Sequence, residues 1–181
     1  MSRQLGTVPP GASSTIMGYM NPVRDDSSTE FGVFTDLLVE SGLVTGEELA
    51  VAVDERAQSG GTIDGILLAN GVIEPTALRT VLARAWNLPA INLARTHIDH
   101  ELVDQWSDEV YLGENWFPVR DQANGTVLVA TCRRPDDDRA GRIEALIEAP
   151  VEFAVVASVD ITAAVARAVK RRARVRRGFL R

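Results

Sequence analysis

Residues 37–53 read LLVESGLVTGEELAVAV, and residues 66–82 read ILLANGVIEPTALRTVL. The two stretches align at an offset of 29 residues, with Gly42 recurring as Gly71 and apolar residues at most other aligned positions. A glycine between two stretches of apolar residues at helical spacing is typical of a helix that ends and is followed by another helix. The sequence therefore predicts two tandem helical hairpins, whose apolar faces are buried when the hairpins stack.

Local signals predict where these helices begin. Ser27 with Glu30, and Thr45 with Glu48, each have the spacing of a capping box, and Pro75 takes the place of the box in the second copy. We therefore expect four short helices in the first half of the chain.

Two helices carry an apolar stripe that we expect to be buried. The stripe of the second helix consists of Leu49, Ala52, Val53 and Ala57, and that of the last helix, which starts near Ser158, consists of Ile161, Ala164, Val165, Ala168 and Val169.

The second half of the chain mixes strands and helices. LPAINL is predicted to be extended, HIDHELVDQWSDEVY to be one helix begun near Asp99, and PDDDRAGRIEALIEA to be another helix. WFPVR and TVLVATC are predicted strands joined by DQANG, in which Asn124-Gly125 is a turn dipeptide, and VEFAVVA is a buried strand. The predicted fold class is α+β, with a helical N-terminal subdomain of two tandem helix hairpins followed by a small ββαβα-like subdomain.

The predicted domain organisation has four parts. They are a disordered leader at 1–26, a tandem helical-hairpin subdomain at 27–95, an α+β subdomain at 96–169 and a basic tail at 170–181.

Charge is distributed unevenly along the chain. The net charge is −6, yet residues 167–181 hold eight basic residues and no acidic one. An acidic body repels phosphate backbones, so we do not expect a nucleic-acid partner. The tail instead predicts contact with an anionic membrane surface or an acidic partner. The residues expected to make this contact are Lys170, Arg171, Arg172, Arg174, Arg176 and Arg177.

Catalytic and metal-binding patterns are missing from the sequence. It contains no GxxxxGK followed by Ser or Thr, no GxGxxG and no GxSxG. Cys132 closes an apolar strand and is predicted to be a structural thiol, while His97 and His100 have no companions at zinc-site spacing. We therefore predict no catalytic residue and no metal. With no signal-peptide pattern and no long apolar run, we expect a cytoplasmic protein, at the inner face of the membrane if the tail meets lipid.

The double stretch is followed by WNLPAINL, IDHELVDQW, FPVRDQANGTVLVAT, RRPDDD and DITAAVARAV. In this order and spacing the sequence resembles the N-terminal, MshEN-type domain of type II secretion and type IV pilus assembly ATPases, over residues 31 to about 170. Similar domains also precede membrane glycosyltransferases. The resemblance implies a helical first half, an α+β second half and a regulatory or docking role, and some members bind cyclic di-GMP through two tandem motifs.

Those motifs resemble Arg-Leu-Gly-x-x-apolar-apolar-x-x-Gly-apolar-apolar, continuing into a helix with spaced leucines and a final Gln. The resemblance implies, as ligand-binding candidates, Phe34, Leu38, Gly42, Leu43 and Arg56 from the first copy, and Ile63, Leu67, Gly71, Val72 and Arg84 from the second. Arg56, which stands at the Gln position of the first copy, and Arg84 are the two candidates to replace the missing donors. The chain departs from the Arg, Gly and Gln positions at Val33, Thr35 and Arg56, and at Thr62, Asp64 and Ala85.

A non-catalytic module that docks to a secretion, pilus or envelope-synthesis protein is thus the leading hypothesis. We expect no cofactor, because the donors that guanine edges and phosphates need are missing at the motif positions. Two alternatives stay open: a cyclic di-GMP sensor with degenerate motifs, and the cytoplasmic N-terminal domain of a membrane glycosyltransferase.

Overall fold

A computed structural model describes the backbone of residues 26–178 and the side chains of residues 32–177. The predicted leader, apart from Asp26, and the last three residues lie outside this described part, as do the side chains of Ser27 and Glu30. The elements in order are four helices, two further short helices, two strands, a helix, a strand and a long final helix. The predicted α+β class is confirmed.

The first half contains the two predicted helical hairpins. Helices α1 (Asp26–Glu40) and α2 (Gly46–Ser59) form the first, and α3 (Ile63–Ala69) and α4 (Pro75–Trp86) form the second. Because α1 already includes Asp26, Ser27 is a helical residue, and the prediction that Ser27 caps this helix is wrong.

Both copies of the repeat end their first helix in the same way. Gly42 has φ 71° and its N–H donates to the carbonyl of Val39 at 2.9 Å, while the N–H of Leu43 donates to that of Leu38 at 3.1 Å. The same two hydrogen bonds occur 29 residues later around Gly71, whose φ is 69°. This pair of bonds is the Schellman motif, so the shared glycine is needed for its left-handed backbone.

The second helix of each hairpin begins as predicted. Thr45 and Glu48 form a complete capping box at the start of α2, in which the backbone N–H of Thr45 donates to the Glu48 carboxylate at 2.8 Å. Pro75 is the first residue of α4. Both starts follow the local rules for helix N-termini.

The predicted single helix begun near Asp99 is instead two short helices. Helix α5 (His100–Val103) is capped by Asp99, as predicted, and α6 (Asp108–Glu114) follows Ser107, which has extended backbone angles. The prediction of one helix is wrong because Ser107, followed by two acidic residues, favours a new helix start over continuation.

A three-stranded sheet forms the centre of the second half. Strand β1 (Trp116–Asp121) pairs antiparallel with β2 (Val127–Thr131), and the turn between them places Gly125 at φ 79°. Helix α7 (Asp137–Ile147) then returns the chain to β3 (Val151–Val155), which pairs parallel with β2. The hairpin, the helix and the third strand all match the sequence prediction.

The extended segment after α4 joins the helical half to this sheet. Val155 donates its N–H to the carbonyl of Pro89 at 2.7 Å, and its own carbonyl accepts from Ile91 at 3.0 Å. Ala90 consequently forms an isolated parallel bridge with Val155.

The last helix, α8 (Ser158–Gly178), is continuous across residue 170, where the sequence placed the start of the basic tail. Ile161, Ala164, Val165 and Ala168 are buried, as predicted. Val169 is 43% exposed, contrary to prediction, because it faces an open groove that Asp108 and Arg176 also line. Among the helices of residues 26–178, none combines the length and apolar character needed to cross a membrane.

Two hydrophobic clusters meet at the end of β3. The larger surrounds Trp116, Tyr111 and Phe117 and contains the buried face of α8, and the other fills the helical half around Leu67. Val155, although it belongs to the sheet, lies in the second cluster. The helical half is therefore packed directly on the sheet and on the start of α8.

Candidate ligand and docking site

The apolar candidates of the first motif copy lie on α1 and the turn after it. Leu38 is fully buried, whereas Phe34 and Leu43 are half-buried against the same cluster. Gly42 is exposed at the turn, and Arg56 is exposed near the end of α2. The apolar side chains thus belong to the core, while the basic candidate of this copy, Arg56, is exposed at the surface.

The second copy repeats this arrangement with tighter packing. Ile63 and Leu67 are buried and Val72 is half-buried, all in the cluster that contains Leu38. Gly71 is exposed at its turn, and Arg84 is exposed on α4. The structure therefore brings the apolar candidates of both copies together in one core and leaves Arg56 and Arg84 on the surface.

The positions where the sequence departs from the motif hold structural residues. Thr35 is buried, and its hydroxyl donates to the carbonyl of Gly32 at 2.9 Å. Thr62 caps α3 by accepting the N–H of Gly65 at 3.2 Å. Each of these side chains is committed to its own helix.

Asp64 has a different contact. It is 8% exposed, and its carboxylate accepts the backbone N–H of Ser158 at 3.3 Å, at the start of α8. A carboxylate is favourable there because the first N–H groups of a helix lack partners and carry partial positive charge. Asp64 therefore fastens the second hairpin to α8.

An ion pair adjoins this contact. Arg79 of α4 donates from Nη1 to Oδ2 of Asp160 at 2.7 Å, and Asp160 also accepts the N–H of Ala157 at 3.0 Å. Neither contact was identified from the sequence. The sequence signal for the first contact was an acidic residue, Asp64, inside an apolar run. The partners in these two contacts lie about 80 to 95 residues apart along the chain, so a local pattern does not link them.

The two copies differ in what covers their second helix. Leu78 and Leu82 of α4 are 0% and 1% exposed, in the cluster that includes Val155. Their equivalents on α2 are Leu49, which is half-buried, and Val53, which is 37% exposed.

The prediction that Val53 and Ala57 would be buried is therefore wrong, since both are exposed. Ala50 is exposed next to them, so Ala50, Val53 and Ala57 form an apolar strip on one side of α2. We call these three residues the α2 strip. The sheet and the start of α8 pack on the second hairpin and not on the α2 strip, which therefore remains exposed to solvent.

The basic residues of α8 fall into two groups. Arg171 pairs with Asp104 at 2.5 Å, and Arg172 pairs with Asp108 and more distantly with Asp104 at 3.7 Å. The others in the predicted contact set, Lys170, Arg174, Arg176 and Arg177, are exposed. Arg171 and Arg172 thus hold α8 against α5 and α6. The predicted contact surface is reduced to the four exposed basic residues.

The histidines and the cysteine, which the sequence offers as candidates for catalysis or metal binding, do not form such a site in the described residues. His97 and His100 are exposed, and no group of three or more His, Cys, Asp or Glu side chains in residues 32–177 has the geometry of a metal site. Cys132 is half-buried, with Sγ 3.6 Å from Oδ1 of Asn115. Burial raises the pKa of this thiol, and the negative charge of Asp64 raises it further.

Comparison with known proteins gives a family match in the second half of the chain. The model of the MshEN domain matches residues 86–175. The type IV pilus assembly ATPase PilB of Myxococcus xanthus (strain DK1622) is 26% identical over 136 residues, which are 75% of this chain and 24% of that protein. The chain thus spans about a quarter of the length of this relative.

Solved structures give the same fold. A structure of MshE with cdg, an abbreviation of cyclic di-GMP, has a TM-score of 0.52 and 22% identity, and the match covers 73% of this chain and 95% of that one. The N-terminal domain of XpsE has a TM-score of 0.50 and 15% identity, and its match covers 78% and 94%. At these identities the likeness concerns the fold.

Proposed function

Since residues 86–175 place the chain in the MshEN domain family, we propose that it is a non-catalytic regulatory module that docks to another protein through its first helical hairpin. The observation that carries the proposal is the exposed α2 strip. At the equivalent positions of the second hairpin Leu82 is buried, and Arg79 and Trp86 are half-buried, so the repeat covers this side of its second helix in one copy and leaves it open in the other.

The chemistry of the α2 strip suits a protein partner. Ala50, Val53 and Ala57 lie on one side of a helix and are small, so a partner helix can approach closely. Burial of apolar area contributes about 25 cal/mol per Å². Acidic residues on the same helix, Glu47 and Asp54, would supply a polar rim around the contact.

The class of partner is proposed from the relatives. PilB is named as a type IV pilus assembly ATPase, and this chain resembles the N-terminal domain of XpsE in fold. We therefore propose a protein of a secretion, pilus or envelope-synthesis system as the partner, and a cytoplasmic location for the encounter. A non-catalytic role agrees with the missing phosphate loop of the sequence.

Affinity capture with substituted chains tests this function. The purified chain, immobilised, is exposed to a lysate of the source cells, and bound proteins are identified by mass spectrometry. The variants are Val53→Arg in the α2 strip and Leu146→Arg on α7, where Leu146 is 43% exposed. We expect the wild type and Leu146→Arg to capture a secretion, pilus or envelope-synthesis component that Val53→Arg does not. Equal capture by both variants, or capture of no such component, would contradict the proposal.

A cyclic di-GMP sensor is the second candidate. It is favoured by the solved structure of MshE with cdg and by the retained apolar frame around Leu38 and Leu67. Against it, the second motif copy presents Thr62 and Asp64, whose side chains are already used to cap α3 and α8. A carboxylate near the ligand would also repel its phosphates.

Calorimetric titration of cyclic di-GMP separates the two candidates. Under the docking proposal we expect no heat of binding at high ligand concentration. Binding that is lost in both Arg56→Ala and Arg84→Ala would instead favour the sensor, because these exposed side chains are the candidate donors and contribute little to the core. A glycosyltransferase-linked role would appear in the capture experiment as enrichment of an envelope-synthesis protein.

A further inference from the structure

Helix α8 carries a line of exposed cations that is separate from its ion pairs. Lys170, Arg174 and Arg177 stand at i, i+4 and i+7, on one side of the helix, and all three are exposed. Among the side chains of residues 32–177 none of the three forms an ion pair, whereas Arg171 and Arg172 are paired with Asp104 and Asp108. We call Lys170, Arg174 and Arg177 the cationic ridge.

Helix α2 carries a line of matching geometry and opposite charge. Glu47, Val51 and Asp54 also stand at i, i+4 and i+7, and all are exposed, with Val51 at 62%. Neither carboxylate has an ion-pair partner in the described part of the chain. We call these three residues the acidic ridge; it lies next to the α2 strip, since Glu47 and Asp54 stand three or four residues from Ala50 and Ala57 on the same helix.

The two ridges fit each other in spacing. A rise of 1.5 Å per residue separates Glu47 from Asp54 by about 10.5 Å along the axis, and Lys170 from Arg177 by the same distance. Two helices laid side by side can therefore form both ion pairs at once. The apolar Val51 then meets the aliphatic stem of Arg174, whose charged end remains in water.

We infer that the cationic ridge of one copy of this chain docks on the acidic ridge of a second copy. Both ridges are exposed in the single chain, so neither is used within it. Each copy offers one ridge of each kind, which makes the contact heterologous, and such contacts propagate into rings or open chains. The acidic partner predicted from the charged tail is, in this inference, the chain itself.

A second copy fits these cations better than an anionic membrane does. The chain outside the tail carries an excess of negative charge, which repels an anionic surface and opposes its approach. The acidic ridge of a second copy has the same spacing as the cationic ridge, so each cation at its ends can pair with one carboxylate. Exposed ion pairs are individually weak, so the association should require high protein concentration and should weaken as salt screens the charges.

Sedimentation velocity tests the inference on the full chain, over a wide concentration range at low salt. We compare the wild type with Glu47→Arg/Asp54→Arg, with Lys170→Glu/Arg177→Glu and with a control. The control, Arg134→Glu/Arg142→Glu, makes the same charge change as the Lys170 and Arg177 variant at two other exposed positions. Circular dichroism confirms that each is folded. We expect the wild type and the control to self-associate. Each ridge variant should have a dissociation constant at least about tenfold higher, because its ion pairs become repulsions.

Mixing the two ridge variants gives the decisive result. Each variant alone has two ridges of like sign, whereas an equimolar mixture again offers opposite ridges to each other, so we expect association to return. A monomeric wild type at every concentration would overturn the inference. So would association that neither reversal weakens, or a mixture that stays monomeric. Binding of the wild type to phosphatidylglycerol vesicles without self-association would assign the cationic ridge to lipid and would also overturn it.

Discussion

Arg79 and Asp160, which are 81 residues apart in sequence, form a 2.7 Å ion pair that joins α4 to the first turn of α8. Their side chains are only 12% and 19% exposed, so the pair is largely shielded from solvent. Asp160 also accepts the N–H of Ala157, and this ties the pair to the residue where the sheet leads into α8. The second hairpin is consequently fixed to the α+β half by charge as well as by apolar packing.

Removal of this ion pair should destabilise the protein. Arg79→Met leaves the Asp160 carboxylate partly buried without its cation, and we expect a loss of about 1 to 3 kcal/mol in the free energy of unfolding. Urea denaturation followed by circular dichroism measures the loss. Arg84→Met, at an exposed position of the same helix, serves as the control and should change stability by less than about 0.5 kcal/mol. Equal effects of the two substitutions would show that the pair contributes nothing specific.

Replacing glycine by alanine should lower the free energy of unfolding at some positions and raise it at another. Gly42 and Gly71 have φ near 70°, so an alanine at either position should cost about 1 to 2 kcal/mol through backbone strain. Gly141 lies inside α7 with nothing within 4 Å of an added Cβ, so Gly141→Ala should stabilise by about 0.5 to 1 kcal/mol. Chemical denaturation of the three variants checks this. A gain in stability at Gly42 or Gly71 would contradict the repeated helix-end geometry.

Features specified by neighbouring residues were predictable from the sequence. The turn glycines, the capping box of Thr45 and Glu48, and the hairpin turn at Gly125 all appear where expected. Each depends on interactions within five or six residues, which a local pattern contains.

Features that depend on distant segments were not predictable. The apolar pattern of α2 does not predict that Val53 is exposed. The exposure of Val53 depends on where the sheet and α8 pack against the hairpins. The contact of Asp64 with Ser158 spans 94 residues, and no local rule links them. Of the candidate site, the sequence therefore predicted the apolar frame and its burial between the hairpins, but not which side of each hairpin the sheet and α8 cover.

The capping box at α2 predicts a shift in acidity. Hydrogen bonds from the backbone and the side chain of Thr45 lower the pKa of Glu48 below the usual value for glutamate. Because the folded pKa is the lower one, the stabilisation is present above the ordinary glutamate pKa and is lost as pH falls through the lowered value. Titration of the carboxyl carbon by NMR should show this depressed pKa. Thr45→Ala keeps the backbone donor, which is the larger cause, and removes the hydroxyl, so it should raise the pKa of Glu48 part of the way to the ordinary value, while Thr80→Ala on α4 should not change it. An unchanged pKa in Thr45→Ala would exclude the Thr45 hydroxyl as a cause.

Cys132 should react slowly with thiol reagents. Burial raises the pKa of its thiol, with the negative charge of Asp64 adding to the effect, so the reactive thiolate is scarce near pH 8. We expect modification by Ellman's reagent to be about tenfold or more slower in the folded chain than in denaturant. Asp64→Asn removes the charge while keeping an acceptor for Ser158, so it should lower the thiol pKa and speed the reaction. Arg79→Met weakens the same contact region but keeps Asp64, so a similar acceleration in that variant would mean that local opening, not charge, controls Cys132.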